Sequence, residues 1–241
     1  LLQIENLKSC WRHMESTLNK CTYCSKEFAR ERTLQVHLCE PKRRHLQKNE
    51  KWVQNAFMVF QRFYQIHQHN MKEKTYEEFC QSAYYNAFVK FGRFMMHINP
   101  LYPEKYVDYI MLSKIKLDHW ARDDLYETYL IDTLKVEPVE AALQRSIATM
   151  MDWAQEQNVQ WSDYFRLVNT NRAVQHIQQG KISPWLLLGC NAGKKMLKSF
   201  SDEQLQMTQP FISPVFWSNK FKNYPTDHLF VQETTKEARI E

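Results

Sequence analysis

Glycine is scarce: Gly92, Gly180, Gly189 and Gly193 are the only four in 241 residues. So few leave little for tight hairpins, and the glycine-rich loops that cradle phosphates are missing altogether. There is no Walker-type lysine loop, no GxGxxG fingerprint after a strand and no GxSxG nucleophile elbow. ATPase, Rossmann dehydrogenase and lipase-like hydrolase chemistry are therefore not expected, and the chain should be helical. Long apolar runs are lacking too. No stretch reaches 18 apolar residues, so no membrane-spanning helix and no membrane partner is expected. Six cysteines occur, but Cys10, Cys80 and Cys190 stand apart without the spacing of a disulfide framework, which suits a reducing, intracellular compartment.

What the sequence does contain is a compact cluster of constrained positions. Cys21 and Cys24 form a CxxC pair, followed by Phe28, Leu34 and His37 at the spacing of a zinc finger. Two thiolates on a short hairpin and an imidazole near a helix end can meet at the corners of one tetrahedron around zinc. Phe28 and Leu34 would form the small core beneath it. So small a unit cannot bury enough apolar surface to fold alone, so metal binding must supply the missing free energy, on the order of 10 kcal/mol. The usual second histidine is absent, since Pro41, Lys42 and Arg43 occupy its positions. Cys39 and His45 are the alternatives for the fourth ligand. Cys39 is favoured because a thiolate is the better zinc ligand and Pro41 signals that the helix has stopped.

Charge is the second signal. Residues 20–51 hold nine Lys and Arg against four Glu, a net of +5 that equals the whole chain's. A positive face on a finger is the electrostatic footprint of a nucleic-acid binder, acting through phosphate neutralisation and counterion release. Counting back from His37, Arg30, Arg32, Thr33 and Val36 would face base edges. Lys42, Arg43, Arg44 and Lys48 would approach phosphates. One finger covers only about three base pairs, so specificity would need the helical domain or a protein partner.

The remainder reads as helices. Trp52, Ala56, Val59, Phe60, Phe63 and Ile66 recur at helical spacing within a stretch from about 45 to 69. Thr75 with Glu78 makes a capping box that opens a helix running to Asn99-Pro100. Further helices are expected from Pro103 to Leu112, over about 118–134, from Pro138 to about Gln157, and over about 169–179 with Gly180 as a left-handed cap. Ser183-Pro184-Trp185 and Ser213-Pro214 share a start signal, Ser201 with Gln204 caps one more turn, and residues 226–239 form a terminal helix. Aromatic side chains over residues 52–129 are core at this spacing rather than base-stacking platforms. The expected organisation is an N-terminal extension over 1–19, a finger over 20–42, a basic-to-aromatic connecting helix over 43–70 and a helical domain over 71–241. Met14 would be the natural start, leaving residues 1–13 without functional weight.

Asp118, Asp123 and Glu127, with His119 and Asp124 nearby, are the candidates for a second metal or acid-base site of nuclease type. Carboxylates near a helix start also serve simply to favour the positive end of its dipole. The remaining histidines and cysteines have no partner at catalytic or metal-ligand spacing.

The segment CTYCSKEFARERTLQVHLCEPKRR resembles the N-terminal finger of an uncharacterised protein family of T-even-type tailed bacteriophages. SAYYNAFVKFGRF, KLDHW, ISPW and FWSNKFKNYPTD are similar to its later blocks. The resemblance spans most of residues 20–230 and implies a phage-encoded protein of the host cytoplasm, acting in DNA replication, recombination or transcription. It also supports Cys39 over His45. The expectation is thus a mostly α protein, a small ββα-like zinc finger followed by a multi-helix domain. It would bind zinc through Cys21, Cys24, His37 and Cys39 and nucleic acid, most simply DNA, through its basic face. A protein-protein adaptor that docks a polymerase, helicase or nuclease is the alternative, and a metal-dependent nuclease the third reading.

Overall fold

The computed structural model describes residues 19–67 and 72–240. The reading of residues 1–19 as an extension therefore falls outside the described residues, save for Asn19, as do Cys10, Met14 and His69. Asn19 belongs to the finger: β1 (Asn19–Lys20) pairs antiparallel with β2 (Glu27–Phe28), Asn19 opposite Phe28 and Lys20 opposite Glu27. The rest is helical, and the architecture is mostly α with a two-stranded N-terminal sheet. The chain divides into two compact units, meeting between Ala121 and Arg122. That boundary lies inside the span the sequence presents as one helical domain.

In the first unit the hairpin is followed by α1 (Glu31–Val36) and α2 (Glu40–Leu46). Next come α3 (Lys51–His67), α4 (Tyr76–Gln81), α5 (Tyr85–Ile98) and α6 (Pro103–Leu112), then a 3-10 turn at Leu117–His119. Two expected helices are each split. The stretch over 45–69 breaks at residues 47–50, so its basic part is carried by α2 and its aromatic part by α3. The capping box at Thr75 and Glu78 is formed, but the helix it opens stops at Ser82, whose extended backbone precedes α5. The finger helix has ended before Pro41, as its presence indicates, and Pro41 itself sits in the first turn of α2, where its missing N–H costs nothing. α3 and α5 supply most of this core: Val53, Ala56, Val59 and Phe60 face Phe88, Phe91 and Met95, with Phe79, Tyr106, Ile110 and Trp120 completing it.

The second unit holds α7 (Asp123–Val136), α8 (Val139–Gln157), the single-turn α9 (Tyr164–Leu167), α10 (Thr170–Gln178) and α11 (Pro184–Gly189). It ends with α12 (Asn191–Leu197), α13 (Asp202–Ile212), α14 (Pro214–Asn223) and α15 (Pro225–Glu237). Pro138 is the N-cap of α8 rather than its first helical residue. Ser183 caps α11 by accepting from the Trp185 N–H, whereas Ser213 makes no such bond, so the two Ser-Pro starts share a sequence and only half of the chemistry. Gly180 follows α10 at φ +67°, the left-handed conformation expected of it. A buried ion pair braces this unit. Arg145 donates to both Glu137 carboxylate oxygens at 2.6 and 2.7 Å and to the Gly180 carbonyl, while the Ser183 hydroxyl donates to Glu137 at 2.9 Å.

Candidate metal centre

The finger is built to gather four ligand atoms. After β1 the chain turns over Cys21-Thr22-Tyr23-Cys24. The Cys21 N–H donates to the Lys26 carbonyl at 2.8 Å, and the Ser25 N–H donates back to the Cys21 carbonyl at 2.9 Å. Ser25 adopts φ +60°, which lets the strand return at once as β2 and leaves both thiols on one side of the knuckle. α1 then spans only six residues, and His37 is its C-cap, already extended at ψ 122°. Cys39, two residues later, is the N-cap of α2. Two helix ends, not one helix, therefore bring in the third and fourth ligands.

The ligand atoms of Cys21, Cys24, His37 and Cys39 all lie within 4.8 Å of one another. Cys21 Sγ and Cys39 Sγ are 3.9 Å apart, and Cys24 Sγ is 3.3 Å from His37 Nε2. A tetrahedron with metal–sulfur bonds of about 2.3 Å and a metal–nitrogen bond of about 2.0 Å has edges of about 3.8 and 3.5 Å, close to both separations. The ring of Phe28 packs 4.7 Å from that of His37, so the aromatic at this position orients a ligand as well as filling the small core. Burial pushes the Cys21 thiol up, but the backbone around Cys24 and Tyr23 and the neighbouring thiols hold it, on balance, below its ordinary value. The Lys26 backbone lowers the Cys24 thiol, but burial and the two other thiols outweigh this and raise it. Three sulfur atoms and one imidazole nitrogen so close together form the donor set of a structural zinc site.

His45 is not among them; its ring lies against Tyr23, 5.2 Å between centroids. Among the described residues this Cys3His cluster is the one group of three or more His, Cys, Asp or Glu side chains whose ligand atoms converge. Asp118, Asp123 and Glu127 are not brought into such a group. Asp118 lies on the 3-10 turn of the first unit, and Asp123 sits with Asp124 in the first turn of α7, where carboxylates favour the helix dipole. Asp124 is held by the Arg122 guanidinium, which keeps its carboxyl below the usual range.

The basic residues divide into two kinds. Arg30, Arg32, Thr33 and Val36 all project from α1 or its start into solvent, and Arg43 and Lys48 are exposed on or just after α2. Arg43 pairs with Glu40 at 2.5 Å, and Lys48 Nζ lies 5.2 Å from the Tyr76 ring. Lys42 and Arg44 are turned inward. Lys42 donates to the His37 carbonyl at 3.0 Å, tying α2 back to the ligand loop. Arg44 donates to the Cys80 carbonyl at 2.6 Å and stacks 4.2 Å over the Tyr85 ring, and the Tyr76 hydroxyl donates to the Arg44 carbonyl at 2.6 Å. Sequence reasoning could not separate these roles, because a lysine or arginine reads the same whether its head group meets a phosphate or a carbonyl 36 residues away. The Arg44 clamp had no sequence signal at all.

Among the described residues no helix is long and apolar enough to cross a membrane. Comparison with protein-family models, with curated proteins and with solved structures finds no match to this chain.

Proposed function

We propose that this chain is a zinc-dependent nucleic-acid-binding accessory protein in which Cys21, Cys24, His37 and Cys39 hold zinc and thereby fold a basic finger onto a helical body. The donor set supports zinc: three thiolates and one imidazole form a closed tetrahedral site with no position for substrate, so the metal would be structural. The observation that carries the nucleic-acid reading is the exposure of Arg30, Arg32, Arg43 and Lys48 within a segment whose net charge is +5. Such cations bind phosphates and release counterions. At six residues α1 is about 9 Å long, short for reading many base edges, which favours contact dominated by phosphates over sequence readout. The resemblance to the phage family supports a setting in DNA replication, recombination or transcription in the host cytoplasm.

The test is binding of the zinc-loaded chain to fluorescent duplex and single-stranded DNA across a salt series. Arg32→Glu with Arg43→Glu serves as the control, since both side chains are exposed; Arg44 is unsuitable because it holds α2 in place. Affinity should fall 10-fold or more between 50 and 200 mM salt and be lost in the control. No binding at low salt would overturn the reading.

A second reading has its own support. Val36, Leu38 and Leu46 on the finger and α2 are 76%, 60% and 64% exposed. Apolar side chains left in solvent around a finger suit an adaptor that docks a replication or transcription protein such as a polymerase, helicase or nuclease. An adaptor interface of that kind would be nearly insensitive to salt, and Leu38→Ser with Leu46→Ser would abolish it while sparing DNA affinity.

A further inference from the structure

We propose that the second unit carries a phosphate-binding site of its own, in the pocket where Lys194 and Lys195 of α12 face Lys236 of α15. This deepens the nucleic-acid reading above and rests on it only for the source of the phosphate.

Residues from Arg122 onward are acidic as a whole, with thirteen Lys and Arg against fifteen Asp and Glu. Yet no Asp or Glu occurs between Asp163 and Asp202, a stretch that holds six of those cations. Arg166 and Arg172 within it are already paired, with Asp163 and Glu156. Among the described residues Lys194 and Lys195 have no carboxylate within ion-pair reach, and neither does Lys236 from the terminal helix. These three line one concave pocket of ≈ 440 Å³ together with Gly189, Asn191 and Gln232. Among the described residues no Asp or Glu lines it.

The pocket is a consequence of close helix packing. A Cβ on Gly189 would stand 2.6 Å from Val231 Cγ1, so only glycine lets α11 seat against α15 and bring the start of α12 alongside the last turns of the terminal helix. Each lysine also sits in the last turn of its helix, where a cation offsets the dipole. The dipole accounts for their sign. It does not account for three ammonium groups around one hollow with no counter-charge among the described residues, an arrangement that an entering anion would relieve. Lys194 reaches far enough that, after burial, it is the second cause holding His228 below its ordinary pKa.

Ammonium groups without a guanidinium fork act as point charges and suit the several oxygens of a phosphate better than the two of a planar carboxylate. The amides of Asn191 and Gln232 add neutral donors. A phosphodiester of a nucleic acid and a free phosphate ligand share this chemistry.

The experiment uses the full zinc-loaded chain and two probes, inorganic pyrophosphate by calorimetry and a 20-base-pair fluorescent duplex by anisotropy. Lys194→Gln, Lys195→Gln and Lys236→Gln are combined. Lys114→Gln, Lys116→Gln and Lys222→Gln form a charge-matched control, all six lysines being exposed. The triple variant should weaken pyrophosphate binding at least 10-fold with an unchanged melting profile, while the control and the finger variant Arg32→Glu with Arg43→Glu leave it intact. If duplex affinity and its salt slope also fall in the triple variant, the site takes phosphodiesters and extends the finger's contact. If only pyrophosphate binding falls, the site stands and takes a free phosphate, whether or not the finger binds DNA. Pyrophosphate binding that is absent, or equal in the triple variant and the control, overturns the proposal, as does displacement by polyglutamate as effective as that by pyrophosphate.

Discussion

Cys39 and His45 show how one residue can be decided by a few ångströms. Both follow His37 at usable distances along the chain, but Cys39 Sγ stands 3.9 Å from Cys21 Sγ, whereas the His45 ring is occupied by Tyr23. Cys39→Ala should therefore release zinc, read as loss of near-stoichiometric metal in a chelator assay, and His45→Ala should retain it. A second residue-scale case is His176, buried in the second unit with Nδ1 2.7 Å from the Tyr164 hydroxyl. Burial, aided by Lys181 and Arg172, lowers its pKa from 6.5 to about 4. In the unfolded chain the imidazole takes up a proton near pH 6.5 that the folded state refuses, so stability is full above that pH and is lost as pH falls toward 4. The linked loss is on the order of 2–3 kcal/mol. Urea melts at pH 7 and pH 4.5 should show it, and His176→Asn should lessen the difference between them.

At the scale of elements, the attachment of α2 decides whether the metal centre is held firmly or left on a tether. α2 has no buried residue of its own, so polar contacts do the work. Lys42 holds the His37 carbonyl, and Arg44 and Tyr76 exchange bonds with the backbone of α2 and α4. Tyr76→Phe removes one donor and leaves the Arg44 carbonyl without it, at a cost of about 1 kcal/mol. Chemical denaturation should register that loss while zinc stoichiometry stays unchanged. The break over residues 47–50 belongs to the same scale. Periodicity alone runs straight through it, because the apolar spacing of α3 begins immediately afterwards and the basic residues before it are compatible with a helix. α2 is held beside α4 by side-chain bonds whose partners lie more than 30 residues away in sequence.

For the whole molecule, the ligand cluster and the large apolar cores lie in different parts of the chain. The finger has one buried apolar side chain, Cys21, whereas the helices after it in the first unit and those of the second unit have cores of large aromatic and aliphatic side chains that contain no ligand. Zinc removal by a strong chelator should thus abolish DNA binding yet take only the finger's small share of the far-ultraviolet helical signal, with the body's thermal transition persisting. A single transition that disappears with the metal would show that the finger is instead integral to the body's stability.

Zinc-ligand spacing, helix starts and net charge are local properties, and the sequence by itself determined them: the Cys-x-x-Cys knuckle, the caps at Thr75, Ser183 and Ser201, the left-handed Gly180 and the basic bias of residues 20–51 could all be read without coordinates. They are legible because each depends on groups within a few residues of one another. The tertiary structure alone decided that Cys39, which the sequence only favours over His45, joins the ligand cluster, which cations point to solvent and which to carbonyls, and where the chain divides. It also decided that Lys194, Lys195 and Lys236 share a hollow. Those outcomes depend on helix ends packed together from distant parts of the chain, and no pattern of spacing along the sequence records which ends will meet.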